Sequence, residues 1–378
     1  MRFFSLGKRP AEPEVQTCTA ADRGIIPQLY SSQNHAEMKL YKQLRENVPV
    51  IDAAIMKLIR LLGGFRVICA DEKAQGAMDS FASTVKVGGT GTGLYSFVCT
   101  YFDQLLTYGM AVGEIVTYSD GCVAALYNAP VDAVRLKAGD TPIDMRIFVG
   151  GIGNMREAEH PDLITVSLLN PEPGTLRGCS VMKGLPFVSE ILMKIFDCVG
   201  QNFERAGNVR FAVTYQPPAG ASTINSKQRV KEIADEWGRA MRDKSRVCDF
   251  VSVGDVSIRA IGADSQILDC DIPIRHVLEQ IVAKLSVPPF LLGLSWSSTE
   301  RMSAQQADIL TSELEYYRAI LTPVIEKIAR VYLRSAGLDP TVRTEWSNIS
   351  LQDETELAEA RLNNARAAQL EQDLEVNA

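Results

Sequence analysis

Apolar residues recur at helical spacing along several stretches of the chain. Over residues 35–62 they stand three and four positions apart, which predicts a helix that Gly63 and Gly64 end. The same spacing predicts helices over 74–85, 94–107, 186–205, 226–246 and 271–285. A long helix is predicted over 303–336, where Pro323 should introduce a kink, and a charged helix over 352–374 closes the chain.

Short runs rich in β-branched and aromatic residues separate these helices and predict strands. They lie at 65–69, 111–117, 123–127, 131–136, 144–149, 163–168, 209–215, 250–253 and 256–261. The sequence Ser119-Asp120-Gly121 between two of them is a hairpin turn. Because the strands pair as hairpins and do not alternate regularly with helices, the pattern predicts an α+β fold.

The composition limits what the chain can do. Its 378 residues are enough for two or three packed units, and its 46% hydrophobic content is enough to build their cores. The net charge of −7 disfavours tight, static binding of DNA, which needs a basic surface, but leaves loose, sliding contact open.

The N-terminus lacks the apolar stretch of a secretory signal, and no apolar run is long enough for a membrane span. We therefore expect a protein made and kept in a cytoplasm, with no membrane partner.

No motif for catalysis or cofactor binding stands out. The eight cysteines form no C-x-x-C pair and are predicted to be buried free thiols, and the three histidines lie far apart, so no metal site is expected. Two glycine-rich runs, GGTGTG at 88–93 and GGIGN at 150–154, lack the Gly-Lys-Ser/Thr ending of a phosphate loop and are predicted to be plain loops. We expect neither an enzyme nor a bound cofactor.

Charge is distributed unevenly between two of the predicted helices. The helix at 226–246 has seven basic and four acidic side chains, whereas 351–376 has seven acidic and two basic ones. A solvated helix face explains either pattern. The basic helix also fits a second interpretation, a docking surface for an acidic partner.

The segment 266–335 carries the most specific pattern in the chain. A predicted helix ends in the sequence VPPFLLG, a short polar loop follows, and then comes a long helix rich in Gln and Glu. This arrangement resembles the signature of the portal proteins of tailed bacteriophages. The turn matches at Val287, Pro288, Pro289, Leu291, Leu292 and Gly293, and the helix at Gln305, Gln306, Glu313, Ile320, Pro323 and Ile325.

Earlier segments resemble portal segments in the same order. They are 48–67, 102–116 with an L-L-x-x-G motif that ends at Gly109, and 177–213 with a G-x-S motif that ends at Ser180, so that the resemblance covers roughly residues 45–335. The chain departs from the family at Ala206-Gly207-Asn208, where portals often carry Asn-Gly. The region after 336 is short, and any crown should therefore be small.

The resemblance implies a portal fold with an α/β wing, a helical stem, a small α/β clip, a tunnel loop, a long kinked helix and a short helical crown. Carried over by position, these parts are a flexible arm (1–24), the first part of the wing (25–185), one stem helix (186–206), the clip (207–268), the second stem helix (269–287), the tunnel loop (288–302), the rest of the wing (303–349) and the crown (350–378).

The resemblance also implies which residues serve the channel. The polar part of the tunnel loop would face the passing DNA, namely Ser295, Trp296, Ser297, Ser298, Thr299, Glu300 and Arg301. Arg275 and Lys284 would supply a few loose phosphate contacts, which a sliding duplex tolerates. Arg229, Lys231, Arg239 and Arg242 on the basic clip helix would dock the packaging terminase and later the head–tail adaptor.

Portal proteins form rings, typically of twelve subunits, at one capsid vertex, where double-stranded DNA enters and leaves. The implied partners are therefore further copies of the chain, double-stranded DNA bound without sequence preference, the large terminase subunit, the adaptor, and capsid and scaffold proteins. The implied location is the virion, after assembly in the bacterial cytoplasm. Two alternatives stay open: another structural or adaptor protein of the phage head–tail junction, and, less favoured, an α/β enzyme that binds a nucleotide through GGTGTG.

Overall fold

A computed structural model of the chain describes most of its residues, and they divide into two compact units. The larger unit comprises 1–189 and 277–378, and the smaller one comprises 190–276. The described residues are 16–17, 33–139, 141, 144–151, 154–207, 210–216, 227–228, 230–235, 238, 255–261, 270–294 and 300–349. Helix and sheet are both present in quantity, which confirms the α+β prediction.

Seven helices in the described residues have defined ends. They are α1 (Gln33–Asn47), α2 (Pro49–Leu61), α3 (Glu72–Thr84), α4 (Leu94–Tyr108), α5 (Leu185–Gly207), α6 (Asp271–Leu285) and α7 (Glu300–Ser335). The single helix predicted over 35–62 is wrong, because two helices meet there. Val48 is extended (φ −119°, ψ 90°) and Pro49, which has no N–H to donate, opens α2. Pro323 lies inside α7 as predicted, and the kink there stays a prediction.

The larger unit contains a five-stranded sheet with the order β3-β2-β5-β4-β9. Its strands are β2 (Lys86–Val87), β3 (Gly91–Thr92), β4 (Met110–Thr117), β5 (Val123–Asn128) and β9 (Ile164–Leu168). Helix α4 packs against β4, and its fully buried side chains form the centre of the core: Leu94, Phe97, Tyr101, Phe102, Leu105 and Leu106. The prediction of a buried helix at this place is confirmed.

A three-stranded sheet of order β6-β7-β8 lies beside the larger one. Its strands are β6 (Val134–Ala138), β7 (Met145–Gly151) and β8 (Asn154–Glu157). One face of this sheet is apolar and packs against Val112 and Ile164 of the five-stranded sheet through Val134, Ile147 and Val149. The run GGIGN thus joins two paired strands, since Gly151 pairs with Asn154.

The larger unit also has a strand that the sequence analysis missed. Strand β12 (Val342–Trp346) pairs antiparallel with β1 (Phe65–Cys69), and Phe65 lies opposite Trp346. Arg318 of α7 lies beneath this pair with its guanidinium 5.0 Å from the Trp346 ring. The same guanidinium donates two hydrogen bonds, of 2.9 and 2.6 Å, to the carbonyl of Leu62 at the C-terminal end of α2. Burial lowers the pKa of Arg318.

The smaller unit contains the far end of α5, the start of α6 and a two-stranded antiparallel sheet. The sheet is formed by β10 (Arg210–Gln216) and β11 (Asp255–Ile261), which correspond to the strands predicted at 209–215 and 256–261. Residues 227–228 and 230–235 are helical, as predicted. The strand predicted at 250–253 and the final helix predicted at 352–374 lie outside the described residues.

The described cysteines contradict the prediction that they are buried and agree with the prediction that they are free thiols. Cys69, Cys99, Cys179 and Cys270 are half-buried, and Cys122 and Cys198 are exposed, so the expectation of buried thiols is wrong for all six. These six are free thiols. Within the described ranges, no helix is both long and apolar enough to cross a membrane.

Candidate assembly surfaces and channel segments

Most of the residues predicted to line the channel lie outside the described residues. Ser295, Trp296, Ser297, Ser298 and Thr299 lie outside the described residues, while Glu300 and Arg301 form the first turn of α7. Of the four predicted clip residues, Arg229, Arg239 and Arg242 lie outside them as well. Lys231 is exposed on a helical segment. The roles given to these residues therefore stay predictions.

The two predicted phosphate contacts lie on one helix but on different sides of it. Arg275 and Lys284 are nine residues apart on α6, and nine residues at 3.6 per turn make two and a half turns. Arg275 is half-buried and Lys284 is exposed near the C-terminal end of the helix. A duplex lying along one side of α6 would therefore meet only one of them.

The VPPFLLG sequence forms the turn that its resemblance implied. Helix α6 ends at Leu285, and Pro289–Leu292 form a single 3₁₀ turn that ends at Gly293 in the left-handed conformation (φ 73°). Val287 is buried, with 2% of its surface exposed. The turn packs against α2. The segment predicted to enter the channel thus starts from a turn anchored in the larger unit.

Two other motifs of the resemblance meet in space. Gly109, the glycine of the L-L-x-x-G motif, ends α4 with φ 74°, and its carbonyl accepts a hydrogen bond of 2.8 Å from the Leu169 N–H. Ser180, the serine of the G-x-S motif, donates a hydrogen bond of 2.7 Å to the Thr107 carbonyl and accepts one of 3.0 Å from the Met182 N–H. The two motifs are therefore the two sides of one packing contact.

Helix α5 exposes apolar side chains on more than one face. Leu185 and Leu192 are buried, with 1% and 2% exposure, whereas Phe187 on the opposite side is 71% exposed. Further apolar side chains on the same helix are exposed, namely Ile191, Met193, Phe196 and Phe203. Phe187 and Ile191 lie on one side of α5, whereas Phe196 and Phe203 lie on the opposite side. Large exposed apolar side chains on both sides of a helix mark contacts with other protein surfaces.

Helix α7 carries a second exposed apolar row. Met302, Ile309 and Tyr316 follow one another at seven-residue intervals and are 46%, 64% and 45% exposed. Two turns of helix separate successive members, so they lie along one side of α7. The sequence analysis placed this helix in the wing but did not single out this row, although the seven-residue spacing is visible in the sequence.

A buried carboxylate holds two residues near the N-terminus, and the sequence analysis gave no sign of it. Glu114 of β4 is 1% exposed, and its oxygens accept hydrogen bonds from the Gln16 N–H (2.7 Å), the Thr17 N–H (2.9 Å) and the Thr17 hydroxyl (2.5 Å). The Gln16 side chain accepts a further bond of 3.1 Å from the His160 N–H. Both residues belong to the segment predicted as a flexible arm, yet here they are fixed at the sheet.

No family model matches the chain, and no curated protein matches its sequence. Solved structures do match. A chain of the neck of a native gene transfer agent (GTA) particle, computed with C12 symmetry, is 14% identical over 88% of this chain and 89% of that chain, with a TM-score of 0.61. A chain of the neck of an empty GTA particle, computed with C6 symmetry, is 14% identical over 92% and 93%, with a TM-score of 0.63. The chain has the fold of these neck chains.

A phage portal protein of the HK97 family, from Corynebacterium diphtheriae, is 12% identical over 87% of this chain and 99% of that chain, but its TM-score of 0.39 is too low to carry an argument. The likeness to the neck chains confirms the predicted resemblance at the level of the fold. The matched neck chains are parts of GTA particles.

The glycine-rich run GGTGTG has a structural role in this fold. Gly91 and Thr92 form β3 and pair back onto β2, which corrects the prediction of a plain loop. The Gly88 N–H donates to the Leu126 carbonyl and the Gly93 N–H donates to the Val85 carbonyl, at 2.9 and 2.8 Å. Because these N–H groups are used within the protein, they cannot cradle a phosphate as those of a phosphate loop do.

An enzyme would also need a cleft for its substrate, and the larger unit has a cleft of about 1050 Å³. Two polar groups of its lining bond to a third, Glu37: Arg177 donates to it at 2.7 Å, and the Tyr41 hydroxyl donates to the other Glu37 oxygen at 2.7 Å. Burial, reinforced by Glu37, raises the pKa of Tyr41 well above its ordinary value. Across the ranges that the structure describes, no cluster of three His, Cys, Asp or Glu side chains suits a metal ion.

Proposed function

We propose that the chain is a portal protein: a subunit of a ring through which double-stranded DNA enters and leaves the head of a tailed-phage-like particle. The single observation that carries this proposal is the fold shared with neck chains over 88–92% of this chain. The order of the sequence motifs supports it independently. An adaptor of the head–tail junction is less favoured, because adaptors are much shorter and lack the sequence of stem helix, VPPFLLG turn and long helix.

The exposed apolar side chains of α5 support the ring. Phe187 is 71% exposed on a helix whose other side is anchored by Leu192. In the ring, α5 and α6 are the stem helices, and the exposed apolar side chains of α5 are covered by adjacent copies. Residues 288–302 follow α6 and narrow the channel, and the exposed Lys284 lies just before that segment.

The ring is tested by placing a charge on the outward side of α5. Phe187→Asp should raise the concentration at which half of the chain is assembled by about tenfold or more, because a large interface side chain is lost and a charge is buried. Light scattering over a dilution series measures this. Gln201→Asp, which adds the same charge at an exposed polar position of the same helix, should leave assembly unchanged. Equal assembly of both variants would contradict the proposed stem.

The clip is proposed to dock an acidic surface of the terminase or the adaptor through Arg229, Lys231, Arg239 and Arg242. Replacing Arg239 and Arg242 together by Glu should block DNA packaging while rings still form. Packaging assays on purified particles, with rings counted by electron microscopy, separate the two effects. Normal packaging by this double variant would exclude the docking role.

A further inference from the structure

Helix α7 presents an acidic and apolar face to solvent between Met302 and Ala319. Its exposed members are Met302, Asp308, Ile309, Glu315 and Tyr316, which we call the helix face. The one basic residue of this stretch, Arg318, is buried and bonds to the Leu62 carbonyl. The helix face therefore combines an apolar row with negative charge along its flank.

Tyr316, at the C-terminal end of the helix face, is held in place. Its hydroxyl donates a hydrogen bond of 2.6 Å to the side-chain oxygen of Asn170, whose backbone has a positive φ of 43°. The ring remains 45% exposed. A tyrosine whose orientation is fixed before binding loses little freedom on association, which is typical of residues that anchor interfaces.

The outward side of the three-stranded sheet has the opposite charge. Strand register places Arg135, Lys137, Arg146 and Phe148 on one side, which we call the sheet face, because their neighbours Val134, Ile147 and Val149 point into the core. The Lys137 ammonium lies 4.3 Å from the centre of the Phe148 ring. The three cations are exposed. Two described acids lie on the same side: Glu157, opposite Phe148, and Asp144, just before β7.

Lys137 and Arg146 lie directly opposite each other on the paired strands β6 and β7. Arg135 lies two residues before Lys137 on the same side of β6, so three basic side chains are close together on the sheet face. An anionic surface docked there would meet these three cations side by side.

We propose that the sheet face of one copy docks on the helix face of the next copy around the ring. This rests on the proposed function. A ring with a single rotation axis is closed by two different surfaces of each subunit, so each copy must carry two complementary faces. The sheet face and the helix face meet this requirement, since one is basic around the half-buried ring of Phe148 and the other is acidic with an apolar row. Both belong to the larger unit.

Reciprocal charge reversals test this contact. Lys137→Glu alone places a second carboxylate against Glu315 of the next copy, and Glu315→Lys alone places two lysines together. Each variant should raise the half-assembly concentration about tenfold or more. An equal mixture of the two variants restores an attractive pair at every contact when the copies alternate. The mixture should assemble within about threefold of the wild-type concentration, and native mass spectrometry should find both variants in equal numbers in each ring.

Matched variants separate this contact from a general effect of charge. Lys86→Glu and Glu46→Lys reverse exposed charges outside both faces and should assemble like the wild type. Circular dichroism and unfolding midpoints check that each variant is folded. Wild-type assembly by both face variants, or failure of their mixture to assemble, would overturn the contact while leaving the ring itself standing. A wild-type chain that never forms rings would instead contradict the proposed function and the contact with it.

Discussion

Gly178 lies directly against Gly109: a Cβ atom on Gly178 would stand 1.7 Å from the Gly109 carbonyl oxygen. The approach is also tight in the other direction, since a Cβ on Gly109 would lie 2.6 Å from the backbone of Cys179 and Ser180. The two glycines come from the two motifs that resemble portal sequences, L-L-x-x-G and G-x-S. A packing requirement of the larger unit thus accounts for the glycine in each motif.

Replacing Gly178 by Ala should lower the free energy of unfolding by at least about 3 kcal/mol, because the backbone around Gly109 must move to make room. Urea unfolding followed by circular dichroism measures the change. Gly76 of α3 has no atom within 4 Å of its Cβ position, and Gly76→Ala should be neutral or stabilising by up to about 1 kcal/mol. Similar stabilities of the two variants would contradict the proposed packing contact.

The hydrogen bonds of Glu114 predict a second effect on stability. Thr17→Val removes the hydroxyl that donates to the buried carboxylate and should cost about 1–3 kcal/mol of unfolding free energy. Thr100→Val, at an exposed position of α4, should change stability by no more than about 0.5 kcal/mol. Urea titrations of both variants test this. An equal and small effect in both would mean that the segment around Thr17 contributes nothing to the fold.

Lys327 predicts a specific dependence of stability on pH. Burial lowers the pKa of Lys327 below its ordinary value of 10.5, which nearby Asp162 partly opposes, and its ammonium donates a hydrogen bond of 2.7 Å to the Ile164 carbonyl. Since the folded pKa lies below the unfolded one, the unfolded chain binds more protons between the two values. Folding is therefore penalised below the folded pKa, and this penalty disappears as the pH rises towards the unfolded value.

Lys327→Met removes this penalty at every pH. The stability of the wild type should therefore rise relative to that of the variant as the pH is raised from neutral towards 10.5, the ordinary pKa of a lysine. Urea midpoints of the two proteins at neutral pH and near pH 10.5 give the comparison. Lys39→Met, at an exposed position of α1, controls for the loss of a positive charge. A difference between wild type and Lys327→Met that stays constant or falls with rising pH would show that burial does not shift this lysine.

The sequence predicted the elements whose ends are set by local chemistry. Helix α4 ends at Gly109 and the VPPFLLG turn ends at Gly293, because both glycines adopt a left-handed conformation that other residues rarely take. The break before Pro49 could also have been predicted, since proline inside a helix removes a backbone hydrogen bond. The helical spacing on both sides of Pro49 hid this signal.

Features that depend on distant parts of the chain were not predicted. Strand β12 has β-branched or aromatic residues at every second position from Val342 to Trp346, which is a usable strand signal, but its partner β1 lies far away in the sequence. Glu114 gives no signal at all, because an acid inside an apolar run looks exposed until Thr17 is found beside it. The exposed apolar row that contains Ile309 was not predicted either, although its seven-residue spacing is visible in the sequence.

The most direct test of the account is electron microscopy of the purified protein, with two-dimensional averages of the end-on view. The proposed function predicts rings with rotational symmetry and an open centre wide enough for a DNA duplex. Compact particles without a central opening, with the mass of a single 41.5 kDa chain at every concentration tested, would contradict it.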